Sequence, residues 1–277
     1  MKEKYFLNEL ANKVGPIGGH RTNAVLYRKG SLTPENYESE DGIIHMLLYI
    51  FDKIKINHNF VLDLGAYSSM ASNVVPIAMK YGLTENQTLL FDGENKWKDS
   101  NVITTWIDSK NIDSLLKKYN CKKEIDLLSI DLDNMDYWIL ESILNQGYVA
   151  NVISLEFNPI FNYSETYSKK YNSQARKMDN ETMGTSNYGA SLRAFTDLLD
   201  KHNYRLVQTI SNNAIFIKAK FDYLNMFENK INNIKNLHAN PWIEPHKIKN
   251  NKSVFGTSEI IEIKKIIQNK FIDVTRL

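Results

Sequence analysis

Five short apolar or β-branched runs, at 60–64, 88–91, 102–107, 125–130 and 152–157, are separated by stretches long enough to be helical. Strands that read as continuous apolar runs must be covered on both faces, and strands alternating with helices pair in parallel through right-handed crossovers. The pattern predicts an α/β fold built on a mostly parallel sheet. Two further runs, YRLVQTI at 204–210 and NAIFIKAKF at 213–221, are separated only by Ser211 and Asn212. That link is too short for a crossover, so it predicts an antiparallel hairpin that closes a sheet of seven strands.

Ahead of the sheet, apolar residues at 43, 44, 47, 48, 51 and 54 form the stripe of an amphipathic helix. It ends an expected N-terminal helical segment at 1–59 that leads into a core at 60–220. Within the core, Ser68 or Ser69 is placed to cap a helix containing Pro76, Asp133 or Asn134 to cap MDYWILESIL, and Ser191 to cap LRAFTDLLDKH. Residues 161–188 are polar and rich in Tyr, Ser and Asn, too long for a simple connection, and predict a substrate-covering loop. Residues 221–277 predict a helical extension broken at Pro241 and Pro245, and one compatible with a homodimer.

Charge and composition exclude several functions. With 34 basic against 32 acidic residues, a net charge of +2 is too balanced for the phosphate-neutralising surface of a nucleic-acid binder. The cluster Lys247, Lys249 and Lys252 reads as a solvated loop. The longest apolar run, 43–51, contains His45 and falls far short of the roughly 20 residues that span a bilayer. The first residues, MKEKYFLNELANKV, lack the apolar stretch of a signal peptide. The expectation is a cytoplasmic protein without a membrane span. Cys121, the one cysteine, rules out an internal disulfide or a cysteine zinc cluster, and the histidines at 20, 45, 58, 202, 238 and 246 show no metal-ligand spacing.

Four constellations are able to carry chemistry. In VLDLGAYSSMAS, residues 61–72, an apolar strand leads through Asp63 and Gly65 into small residues, so the backbone is expected to approach a ligand and a helix N-terminus to receive an anionic group. In TLLFDGEN, residues 88–95, Asp92 and Glu94 stand at the end of the second strand, where a carboxylate accepts ribose hydroxyl protons. In EIDLLSIDLDNMDYWILESIL, residues 124–144, a buried strand delivers Asp131, Asp133 and Asp136 into one loop, and like charges so placed need a cation, a proton or donors. In VISLEFNPIFN, residues 152–162, Glu156 and Asn158 end the next strand. With Asp131 they form an expected oxygen set for Mg²⁺ or Mn²⁺. Tyr163, Tyr167, Tyr171 and Tyr188 are candidates for lining a sugar or nucleotide pocket.

A parallel sheet that ends in an antiparallel hairpin is the methyltransferase arrangement, and the pieces above resemble the FkbM-like methyltransferases that use S-adenosylmethionine (SAM). The resemblance covers roughly 40–220 through EDGIIHMLLYI, FVLDLGAYSS, LLFDGE, EIDLLSIDLDNMDYWIL, VISLEFNPIF and YGASLRAFTDLLDKHNYRLVQTISNNAIFIK, in that order. It is closest to members encoded among bacterial surface-polysaccharide genes. It implies a class I (Rossmann-like) methyltransferase fold and methyl transfer to a hydroxyl of a sugar, a nucleotide-linked sugar or a glycan. It assigns Asp63, Gly65, Ala66, Tyr67, Ser68, Asp92, Glu94 and Asp108 to SAM. The reaction side takes Asp131, Asp133 and Glu156 as catalytic groups and Asn158, Tyr137 and Tyr188 as substrate contacts. The chain departs from the group at Ser68-Ser69, where a glycine-containing turn is common, and at Asn134-Met135. A non-catalytic SAM-binding scaffold and a non-sugar acceptor are the competing readings. An NAD enzyme is disfavoured because the first turn lacks GxGxxG.

Overall fold

The computed structural model describes residues 43–54, 59–69, 71–94, 98–173, 188–210, 212–222 and 271–276. The predicted strands assemble as a seven-stranded, mostly parallel sheet in the order β3-β2-β1-β4-β5-β8-β7, a mixed α/β arrangement consistent with a Rossmann-like fold. Its strands are β1 (Val61–Leu64), β2 (Thr88–Asp92), β3 (Val102–Thr104), β4 (Glu124–Ile130), β5 (Val149–Glu156), β7 (Tyr204–Ile210) and β8 (Asn213–Lys218). β1 pairs in parallel with β2 and β4, and β2 pairs in parallel with β3. β7 and β8 form the predicted antiparallel hairpin.

By contacts, the described residues up to 107, with 114–131 and 147–154, form one compact unit, and 108–113, 132–146 and the described residues from 155 onward form another. In the first unit, helix α1 (Ile43–Ile54) buries Ile43, Ile44, Leu47, Leu48, Phe51 and Ile54, the whole predicted stripe. β1 is buried at every residue, as a central parallel strand must be. The chain's entry into β1 is held by buried Asp126, whose carboxylate accepts the backbone N–H groups of Asn59 and Phe60.

Helix α2 (Val75–Lys80) begins later than Ser68 or Ser69 would set it, and no side chain caps it. The expectation fails because Ser68 instead closes a local turn, its carbonyl accepting from the Ala71 and Ser72 amides at 3.0 and 3.1 Å. Pro76, at the start of α2, fixes φ where its missing N–H costs nothing. Helix α3 (Ile112–Lys118) completes the connection to β4.

In the second unit, α4 (Asp136–Asn145) and α5 (Leu192–Lys201) are both amphipathic. Ser191 caps α5 as predicted, its side chain accepting from the Ala194 amide. The expected cap of α4 by Asp133 or Asn134 does not form; the N-cap is Met135, without a side-chain bond. The region expected to be a substrate-covering loop contains a strand, β6 (Tyr167–Lys169), which pairs antiparallel with β9 (Phe271–Asp273). Phe161, Phe271 and Ile160 form a small core beneath that pair, with Tyr167 packed against it. The expected helical extension is thus extended chain at 271–273, where Phe271 and Ile272 suit a pleated, half-buried surface. A short 3-10 helix, Val274–Arg276, follows; residues 223–270 of that extension, residues 174–187 of the cover, and most of the N-terminal segment lie outside the described residues, as do His20, His58, His238, His246, the lysine cluster, Pro241 and Pro245.

Among the described residues no helix is long and apolar enough to cross a membrane.

Candidate functional site

The turn after β1 is closed by backbone packing. Gly65 has φ +94°, and a Cβ built on it would overlap the carbonyl oxygen of Asp131 and lie 2.6 Å from the carbonyl carbon. The space expected to admit a ligand is therefore filled by the backbone that follows β4. The Gly65 and Ala66 amides both donate to the Phe91 carbonyl, at 2.8 and 3.0 Å. Asp63 is turned inward, only 2% exposed, and its carboxylate accepts from the Ser72 hydroxyl. Asp63 thus fastens the loop to β1 in place of the expected contact with a cofactor.

Two acidic side chains hold the outer part of that loop. Asp92, at the end of β2, accepts the Tyr67 amide at 2.8 Å on one oxygen and the Glu94 amide at 2.7 Å on the other. These bonds hold Tyr67 in the left-handed region at φ 56°. Asp99 accepts both the amide and the hydroxyl of Ser69. Burial alone would raise the Asp99 carboxyl, but the Ser69 hydroxyl, the Asn101 and Ser69 amides and the Asn101 side chain outweigh it and hold the group below the usual carboxylate range. The sequence reading missed Asp99, because its partner lies 30 residues earlier. Together with the Ser68, Ala71 and Ser72 bonds, the described residues of the loop spend their amides on protein acceptors, and the helix N-terminus expected to receive an anion does not form there. Glu94 is exposed at the end of β2. Asp108 is a turn residue before α3, accepting the Lys110 and Asn111 amides at 2.7 and 3.0 Å.

The loop from β4 to α4 is organised by Asp136. This side chain is 2% exposed, and its two oxygens accept the Leu132 amide at 2.8 Å and the Asn134 amide at 3.0 Å. Between those amides, Asp133 takes φ +61° and is exposed. Asp131, Asp133 and Glu156 each place a carboxylate oxygen within 4.8 Å of the others. Three hard oxygen donors at that separation match the chemistry of a Mg²⁺ or Mn²⁺ site.

The expected set of Asp131, Glu156 and Asn158 is corrected in its third member. Asn158 is fully buried: its amide donates to the Tyr188 carbonyl at 2.8 Å, and its oxygen accepts from the Ile160 amide at 3.1 Å. The sequence put Asn158 at the end of the strand together with Glu156, but β5 ends at Glu156 and the chain turns. Glu156 has a partner that the sequence did not single out. The side-chain amide of Asn212, in the β7–β8 turn, donates to it.

The predicted aromatic contacts divide. Tyr137 belongs to the core: 5% exposed, it packs edge-on against Trp138 and tilted against Phe195, and burial, followed by the charges of Glu141 and Asp197, pushes its hydroxyl up to about 12. Tyr167 packs on Phe161, whereas Tyr171 stands edge-on to Trp138. Tyr163 and Tyr188 are half-buried.

No family model matches the sequence, and no curated protein matches it significantly.

Proposed function

We propose that the chain is a SAM-dependent O-methyltransferase of the class I fold, acting on a hydroxyl of a sugar or nucleotide-linked sugar. The observation that carries the reading is the sheet order β3-β2-β1-β4-β5-β8-β7, in which β8, antiparallel to β7, lies between β5 and β7, combined with carboxylates at the ends of β2, β4 and β5. A surface-polysaccharide sugar as acceptor rests on the sequence resemblance alone.

The donor set fits the cofactor best at its ribose. Glu94 is exposed, and each Asp92 oxygen, already accepting one N–H, keeps a lone pair for a hydroxyl. SAM supplies an electrophilic methyl group. A sugar hydroxyl is a weak nucleophile at neutral pH, so a carboxylate must accept its proton or a cation must acidify it. Asp131 or Asp133 accepts that proton, and Glu156 orients the acceptor. Where a divalent cation binds, Asp131, Asp133 and Glu156 hold it.

The spent amides of the 65–72 loop favour a second reading, a non-catalytic scaffold, because they leave that turn poor in donors for the methionine carboxylate. Calorimetric titration of the full chain with SAM, with NAD as control and with and without Mg²⁺ or Mn²⁺, tests the proposal. Micromolar SAM binding without NAD binding supports it, and methyl transfer to a nucleotide-sugar then separates enzyme from scaffold. No SAM binding under any of these conditions rejects it.

A further inference from the structure

β8 runs antiparallel to β7, and the turn between them comes back to the end of β5: the Phe157 amide donates to the Asn212 carbonyl at 2.7 Å. The same residue turns its side-chain amide onto Oε1 of Glu156. Asn212 is 8% exposed, so the bond is sheltered from water, and the backbone bond beside it fixes where the amide sits. A glutamate side chain has three rotatable torsions, and like-charged neighbours drive it outward. One sheltered N–H donor opposes both, by selecting a rotamer and by anchoring the carboxylate oxygen against that outward drive.

We propose that Asn212 is a positioning residue: it holds the Glu156 carboxylate in its working orientation, and this is the task for which the hairpin turn is brought to the end of β5. The proposal rests on the reading of Glu156 as part of a reaction site, but the orientation itself is measurable without any reaction. Asn212 touches no substrate in this role and acts through Glu156 alone.

The test uses the full chain labelled with ¹³C-glutamate, with the Glu156 signals assigned through Glu156→Gln. In the unsubstituted chain the Glu156 side chain relaxes as an ordered group, and in Asn212→Ala it becomes as mobile as an exposed glutamate, with the fold intact by circular dichroism. Equal order in the two chains overturns the proposal. Asn212→Asp sharpens the test, since it keeps the volume but replaces the donor with a carboxylate facing Glu156. A packing role makes Asp the milder change; the positioning role makes it at least as damaging as Ala. Methyl transfer, followed with SAM and a panel of nucleotide-sugars, supplies the second readout. Both variants are expected to lower kcat by roughly 10- to 100-fold with the KM for SAM changed less than about twofold, the scale typical of groups that orient a working side chain. Unchanged kcat overturns the positioning role. An unsubstituted chain that transfers no methyl group counts against the functional reading, while the relaxation data still decide whether Asn212 holds Glu156.

Discussion

Gly65 and Asp131 meet backbone to backbone. The Asp131 amide donates to the Leu64 carbonyl at 2.8 Å, and the Asp131 carbonyl then occupies the volume that a Cβ on Gly65 would need. The glycine therefore sets how closely the chain leaving β4 lies against the end of β1, and with it where the Asp131 side chain begins.

Gly65→Ala should be strongly destabilising. The left-handed φ of +94° costs a residue with a Cβ about 1–2 kcal/mol, and forcing the methyl against backbone adds about 1–3 kcal/mol. A chain of this size responds by melting about 5 °C or more lower. A thermal melt of the variant within a degree of the unsubstituted chain would show that the contact is not tight.

The loop after β4 sets stability against function. Asp133→Gly should leave the fold as stable or raise its stability by up to about 1 kcal/mol, because glycine takes φ +61° freely and one charge leaves the cluster. Asp136→Asn should do the opposite, losing one of two buried acceptors at a cost of about 1–3 kcal/mol. Urea denaturation of both variants checks the pair; a destabilised Asp133→Gly would mean that the carboxylate holds the loop instead of being held by it.

The sheet was legible because each core strand is a run of residues that only a doubly covered strand can accommodate, and because two residues between 210 and 213 leave room for nothing but a turn. β6 and β9 were not legible: each has three residues, and they pair across about a hundred positions with no local signal. A separation of 56 positions from Glu156 hid Asn212, whose role follows from β8 lying beside β5. The acidic residues show the limit most clearly. Asp63, Asp92, Asp108 and Asp136 all stand where a ligand-binding carboxylate would, yet each accepts hydrogen bonds from the chain's own loops, as Asp99 does from Ser69. Sequence places a carboxylate at a strand end; only the backbone path decides whether amides reach it first. Glu156 and Asn158 make the same point, since the strand stops at Glu156 and the backbone turn buries Asn158.

Asp99 gives a pH dependence of known sign. Its carboxyl is held below the usual value near 4, so it binds a proton less readily in the folded chain than in the unfolded one. Its stabilisation is complete above that unfolded value and is lost as pH falls through the lower folded value. Asp99→Asn should therefore melt below the unsubstituted chain at pH 7, with the gap closing as pH falls below about 4. A gap that does not narrow on acidification would remove the charged bonds to Ser69 as the cause.

Under the proposed mechanism, a substitution at Asp131 separates binding from chemistry. Its amide and carbonyl belong to the backbone contact with Leu64 and Gly65, so a change confined to the side chain leaves that frame in place. Asp131→Asn keeps the shape of the side chain but removes its charge and its ability to accept a hydroxyl proton. Under the proposed mechanism, turnover should fall by at least about 10²-fold, the lower end for loss of general-base assistance. SAM affinity, resting on the β2 end, should change less than about threefold, a free-energy difference under about 0.7 kcal/mol. Calorimetry with SAM and a methyl-transfer assay on the same preparation give both quantities. Turnover that survives in Asp131→Asn assigns the proton to Asp133 or Glu156, whereas SAM binding lost together with turnover moves Asp131 from the reaction side of the site to the cofactor side.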